Sequence, residues 1–150
     1  MARAIELAVE NVRGGRGGPF AALVVREGRI VAEGVNLVTS ANDPTAHAEV
    51  VAIRAACAAL GAFQLPGCEI YATCEPCPMC LGAIYWARPD RVYCGATARD
   101  AAGAGFDDSL IYEQIGKPWP ERLIPMYPLM REEALRVFAE WRAKADKTPY

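Results

Sequence analysis

Ile5, Ala8, Val9 and Val12 recur at the i, i+3, i+4 and i+7 spacing of one helical face, and Gly14, Gly15, Gly17 and Gly18 end that helix. The pattern then changes. From Phe20 to Val25 the chain is short, apolar and partly β-branched, and Glu27-Gly28-Arg29 turns it into a second such run, Ile30 to Val35. Two strands paired as a hairpin are predicted. Asn36 to Pro44 is polar and rich in turn formers, and Asn42-Asp43-Pro44-Thr45 offers capping side chains for a helix beginning near Ala46. Val50, Ile53, Cys57 and Leu60 keep helical spacing until Gly61, and Cys68 to Thr73 reads as a strand that ends at Glu75-Pro76. A third helix starts at about Cys77 and runs through Ile84 and Trp86 to Pro89, followed by a short strand, Arg91 to Cys94. The order to this point is α-β-β-α-β-α-β.

Beyond Gly95 the pattern thins. Ala101 to Gly105 is small and flexible, Asp108 is placed to cap a short helix through Ile115, and four prolines fall between Gly116 and Pro128. Pro125 and Pro128 restrict Leu123 to Leu129 to an edge strand or an extended crossing segment. Ala134, Leu135, Phe138 and Trp141 predict a closing helix, and Lys147-Thr148-Pro149-Tyr150 is a tail that cannot continue it. No internal repeat is present. The whole, residues 1–150, is expected to form one domain, a length that buries roughly two-thirds of the unfolded chain's surface.

Hydrophobic residues make up 53% and charged residues 23%, without like-charge runs, which excludes the disordered and fibrous classes. The net charge of -2 leaves no basic stripe for a polynucleotide, so a small neutral substrate is expected, with no nucleic-acid or membrane partner. The opening residues carry two acids and no long apolar core, unlike a signal peptide or a membrane span. Six cysteines, with Cys74, Cys77 and Cys80 at intervals of three, point to a metal cluster in a reducing compartment more than to disulfides. A cytoplasmic location follows.

The chemistry sits at two expected helix starts. Cys77 and Cys80 share one helical face, where their sulfurs can converge on one ion, and the positive end of a helix dipole favours thiolate. His47 is the only histidine. Zinc accepts thiolate and imidazole, so these three residues make an open three-ligand site, or a closed structural Cys3His site if Cys74 joins them. Glu49, two residues from His47, suits a proton carrier beside the metal.

His47-x-Glu49 followed by Pro76-Cys77-x-x-Cys80 is the signature of zinc nucleobase deaminases. The chain resembles the cytidine deaminase-like superfamily. It does so through Gly17-Gly18-Pro19-Phe20, the segment Asn42 to Glu49, the segment Cys74 to Ala87, and Ala104-Gly105-Phe106-Asp107-Asp108-Ser109. The last of these resembles the bacterial guanine deaminases. The resemblance implies a three-layer α/β/α sandwich around a mixed five-stranded sheet, with one zinc per subunit held by His47, Cys77 and Cys80. It further implies hydrolysis of guanine to xanthine and ammonia, with Glu49 as proton shuttle. Phe20 would stack on the purine, Asn36 would bond its edge, the backbone of Ala48 would line the pocket beside Trp86, and Asp108 would read guanine's paired N–H donors. The family resemblance also implies a homodimer that exchanges the C-terminal segment, about 117–150, so that Tyr150 closes the partner's site.

Plainer roles compete with these. Phe20 and Trp86 suit core packing, Asn36 a turn, Asp108 a helix cap, and Tyr150 a frayed end. The glycine loop lacks a Gly-Lys-Ser/Thr ending and precedes a strand, which excludes a phosphate loop. Cys57, Cys68 and Cys94 are expected to pack as small hydrophobes. The alternatives in function are deamination of guanosine, cytosine, ammeline or tRNA adenosine, and a non-catalytic zinc-stapled interaction module.

Overall fold

Helix α1 (Ala2–Arg13) forms where the 3.6-residue pattern predicts it, but it buries Ala4, Leu7, Ala8 and Asn11. Ile5, Val9 and Val12 stay exposed. The inward face is therefore turned by about one residue from the apolar stripe. Two alanines on it let the helix lie close to the sheet, and a buried asparagine shares that face with them. This computed structural model describes residues 1–150. They divide into two compact units, Met1–Ser109 and Leu110–Tyr150.

In the first unit, β1 (Ala21–Arg26) and β2 (Arg29–Val35) form the expected hairpin, closed by Glu27 and Gly28. Both turn residues have positive φ, the conformation a two-residue hairpin turn requires and glycine tolerates best. After a short helix α2 (Val38–Ala41) come α3 (Ala48–Leu60), β3 (Cys68–Cys74), α4 (Pro78–Ala87), β4 (Arg91–Ala96) and α5 (Ala98–Gly103). The sheet order is β2-β1-β3-β4, with β1 antiparallel to both neighbours and β3 parallel to β4. It is a mixed sheet.

The period of two in β1 divides the core. Ala21 and Leu23 pack on α1 together with Ala4, Leu7 and Ala8. Ala22 and Val24 point the other way, into a cluster with Ala48, Ala52 and Ala56 of α3, Ile70 of β3, and Ile84 and Ala87 of α4. Helices thus cover both faces of the sheet. At Gly34 of β2 a Cβ would stand 2.3 Å from the Ala48 carbonyl oxygen and 2.5 Å from the Ala52 amide nitrogen. The missing side chain is what lets the start of α3 rest on the sheet.

The sheet has four strands where five were expected. The segment from Leu123 to Leu129 forms no strand. Pro125 and Pro128 are an odd number of residues apart, so whichever edge this segment presented to a neighbour, one proline would lack the N–H that the ladder needs. Part of the small, flexible stretch expected from Ala101 to Gly105 is helical instead, as the end of α5. Thr97 and Asp100 close the first turn of that helix with a reciprocal capping box, and this local signal outweighs the small side chains behind it.

The second unit carries the rest of α6 (Ser109–Ile115), a 3-10 turn (Trp119–Glu121) and α7 (Arg131–Ala143), the closing helix. None of its residues is buried, and Leu135, Val137, Phe138 and Trp141 on α7 are exposed. No helix of either unit is long and apolar enough to cross a membrane.

Candidate active site

Both site helices begin as the sequence suggests, displaced by one or two residues. His47 is the N-cap of α3 and Cys77 the N-cap of α4, each with extended backbone. Pro78 occupies the first turn of α4, where its missing N–H deprives the helix of nothing. The capping run ahead of α3 is used otherwise: Asp43 Oδ1 accepts from the Thr45 amide at 2.8 Å and from its hydroxyl at 2.7 Å. That turn stops short of the helix and delivers His47 to its end.

Because α3 and α4 pack on the same face of the sheet, their starts converge. His47 Nδ1 lies 3.5 Å from both Cys77 Sγ and Cys80 Sγ, and the three ligand atoms all lie within 4.8 Å of one another. A tetrahedral zinc with ordinary Zn–S and Zn–N bonds sets N···S edges of about 3.6 Å. The donor set fits the ion in kind and in spacing. Cys74 is outside this group: its thiol donates to the Thr97 carbonyl at 3.5 Å, so the closed Cys3His arrangement does not form.

Charge is distributed unevenly around the three ligands. The thiol of Cys80 beside it, and then His47, pull the Cys77 thiol down to about 4, so it is a thiolate at neutral pH. Cys80 is pushed far up by that thiolate and by burial, and keeps its proton. The bond with Cys77 raises His47. Glu49, in the first turn of α3 and buried, accepts from Cys80 Sγ at 3.4 Å through Oε2. Burial raises its carboxyl above the usual carboxylate range.

Other residues expected at the site lie at the end of the hairpin and in the loop that carries Asp108. Asn36 is buried, its Oδ1 accepting from the Gly18 amide at 3.2 Å and the Val38 amide at 3.3 Å. Both bonds use the oxygen, and the side chain's Nδ2 is left as a donor. Phe20 meets Phe106 edge to face, with ring centroids 4.9 Å apart. Phe106 lies in the segment that carries the family resemblance, two residues before Asp108, and sequence reasoning assigns it no role of its own. Asp108 is half-buried, and its carboxyl is raised by that burial and by the negative charge of Cys77, Asp107 and Glu75. Ala48 is buried directly after His47.

Two further expected residues are exposed. Trp86 is 63% exposed, on a different side of α4 from Cys80, Ile84 and Ala87, which face inward. Tyr150 is 71% exposed at the end of the second unit.

Residues 1–96 match the family model described as the cytidine and deoxycytidylate deaminase zinc-binding region. The chain belongs to that family. Within it, the chain is 59% identical over 148 residues to guanine deaminase of Bacillus subtilis, covering 99% of this chain and 95% of that one. The X-ray structure of guanine deaminase from Bacillus subtilis superposes with a TM-score of 0.97 at 58% identity, again over 99% and 95% of the two chains. The tRNA-specific adenosine deaminase of Agrobacterium fabrum is 50% identical over 78 residues, only 52% of this chain and 51% of that one. The tRNA enzyme shares part of this deaminase-family chain, whereas the guanine enzyme shares nearly all of it.

Proposed function

We propose that this chain is a zinc-dependent guanine aminohydrolase. The reaction is carried by one observation: His47, Cys77 and Cys80 form a zinc-sized triangle with a buried carboxyl against it. The substrate is supported by the near full-length likeness to a guanine deaminase.

His47, Cys77 and Cys80 would hold the zinc. The chemistry that a bound zinc supplies is Lewis acidity, which makes water nucleophilic near neutral pH. Glu49 Oε2 takes a proton from the attacking water and gives it to guanine N3 as the water oxygen bonds to C2. It then carries the second proton to the 2-amino nitrogen, the C2–N bond breaks, and xanthine and ammonia leave. Phe20 and Phe106 flank the purine face, Asn36 Nδ2 donates to a ring acceptor, and the Ala48 backbone borders the pocket. Asp108 accepts from N1–H and the amine, adjacent donors that adenine lacks.

Catalysis in a homodimer that exchanges the C-terminal segment is part of the same proposal, with residues 1–150 acting as one functional domain and Tyr150 closing the partner's site. Support comes from the second unit, which buries none of its own apolar side chains. Trp86 is assigned to the pocket rim that the partner would complete. All six cysteines are free thiols, which suits the cytoplasm.

The test is ammonia release from guanine, guanosine, cytosine, adenine and ammeline by zinc-loaded protein, with Glu49→Gln as control. Release from guanine alone is expected. Silence across the panel in protein holding one zinc per chain would overturn the assignment.

A further inference from the structure

We infer that Asn11 of α1 is a positioning residue for the substrate wall, acting through Asn36 and Gly18. The inference rests on the reading that Asn36 meets the purine.

Asn11 is completely buried on the inward face of α1, in line with Ala4, Leu7 and Ala8. Its Nδ2 donates to the Asn36 carbonyl at 2.8 Å and to the Gly18 carbonyl at 3.0 Å. Both partners are oxygens, so the amide's orientation is settled: the NH2 faces the wall. The other end, Oδ1, is buried without a hydrogen-bond partner. An unpaired buried acceptor is destabilising, and a plain hydrophobe would avoid it. What the position requires is two donors on a short, neutral side chain, which among the natural residues of this size only asparagine supplies.

The bonds made by Asn36 complete the link. Its amide donates to the Phe20 carbonyl at 3.0 Å, and its Oδ1 holds the Gly18 amide. The glycine loop lies so tightly on it that a Cβ at Gly17 would stand 2.1 Å from the Asn36 carbonyl oxygen. Asn11 also accepts from the Arg16 amide through its own carbonyl, at 3.2 Å. One side chain therefore fixes where the glycine loop and the end of β2 meet, and with them the aim of Asn36 Nδ2 and the seat of Phe20. None of its hydrogen bonds reaches His47, Glu49, Cys77 or Cys80. Removing it should loosen substrate binding and leave the chemical step in place.

The experiment compares Asn11→Leu, which keeps the bulk, Asn11→Ser, which keeps one donor and folds more readily, Asn36→Ala, and the Asn11→Ser/Asn36→Ala pair. Zinc content, thermal stability, kcat and KM for guanine are measured in each. Asn11→Leu and Asn11→Ser should raise KM by about tenfold with kcat within about twofold and one zinc retained, Ser less than Leu. In the pair, Asn11→Ser should raise KM by clearly less than it does in the wild-type background, because only the seat of Phe20 is left for Asn11 to set. A raised KM in Asn36→Ala, with the Asn11 variants at the wild-type KM or with effects that multiply in the pair, overturns the role of Asn11 alone. A wild-type KM in Asn36→Ala overturns the substrate contact of Asn36, and the positioning role with it.

Discussion

Glu49 and Cys80, from different helices, meet at 3.4 Å between Oε2 and Sγ, so the proposed proton carrier and one candidate metal ligand are set in place by the same contact. The dependence runs both ways. Cys80 holds the carboxyl beside the three candidate ligands, and the carboxyl helps keep the Cys80 thiol protonated.

Glu49→Gln preserves size and the position of Oε1 or Nε2 while removing the titratable group. It should lower kcat on guanine by about 10²–10⁴-fold, with zinc content and circular dichroism unchanged. Steady-state kinetics beside metal analysis will show this, and turnover near the wild-type level would contradict the proton-carrier role.

Zinc binding should release protons and weaken in acid. In metal-free protein Cys77 is already a thiolate above about 4, but the raised Cys80 must surrender its proton and the raised His47 must be neutral. Affinity therefore rises with pH, with about one proton released per zinc on the alkaline side of the His47 titration and more below it. Calorimetry in buffers of different ionisation enthalpy measures the number. Affinity that stays flat over roughly pH 6 to 8, where histidine titrates, would count against this ligand set.

Gly34→Ala should be felt at the catalytic helix. The added methyl would meet the Ala48 carbonyl and the Ala52 amide, both backbone atoms that cannot rotate away. A loss of about 1–3 kcal/mol is expected, with weaker zinc binding because His47 and Glu49 move with α3. Chemical denaturation and metal titration check the two effects separately.

Asp108→Asn exchanges a pure acceptor for a group that presents a donor to guanine's N–H edge. An increase in guanine KM of about 10–100-fold is expected while zinc stays bound. If KM is unmoved, another residue reads that edge.

Exchange of the C-terminal segment is checked by mixing. A His47→Ala chain and a chain lacking Tyr150 should each be nearly inactive, and together they should recover activity if the tail serves the partner's site. The absence of any recovery after confirmed subunit exchange would confine the tail to its own chain.

Much of this protein is legible in short stretches of its chain. The hairpin follows from two β-branched runs around Glu27-Gly28, α4 from Pro78 in its first turn, and the metal ligands from a lone histidine and two cysteines one turn apart. These are local facts. They depend on φ preferences, missing N–H groups and the reach of neighbouring side chains, so a short window of sequence contains them.

What the tertiary structure decided are relationships between windows. The apolar stripe at Ile5, Val9 and Val12 predicts the wrong inward face for α1, since burial is set by what the sheet and the glycine loop offer, including two carbonyls that need the Asn11 amide. Cys74 shares the spacing of Cys77 and Cys80, yet turns to the Thr97 carbonyl because it ends a strand. Phe106 becomes a partner of Phe20 only when the two loops meet. The sequence by itself determined the kind of chemistry and the elements that carry it. Only packing determined which polar groups lose their water, and that desolvation is what raises Glu49 above the usual carboxylate range.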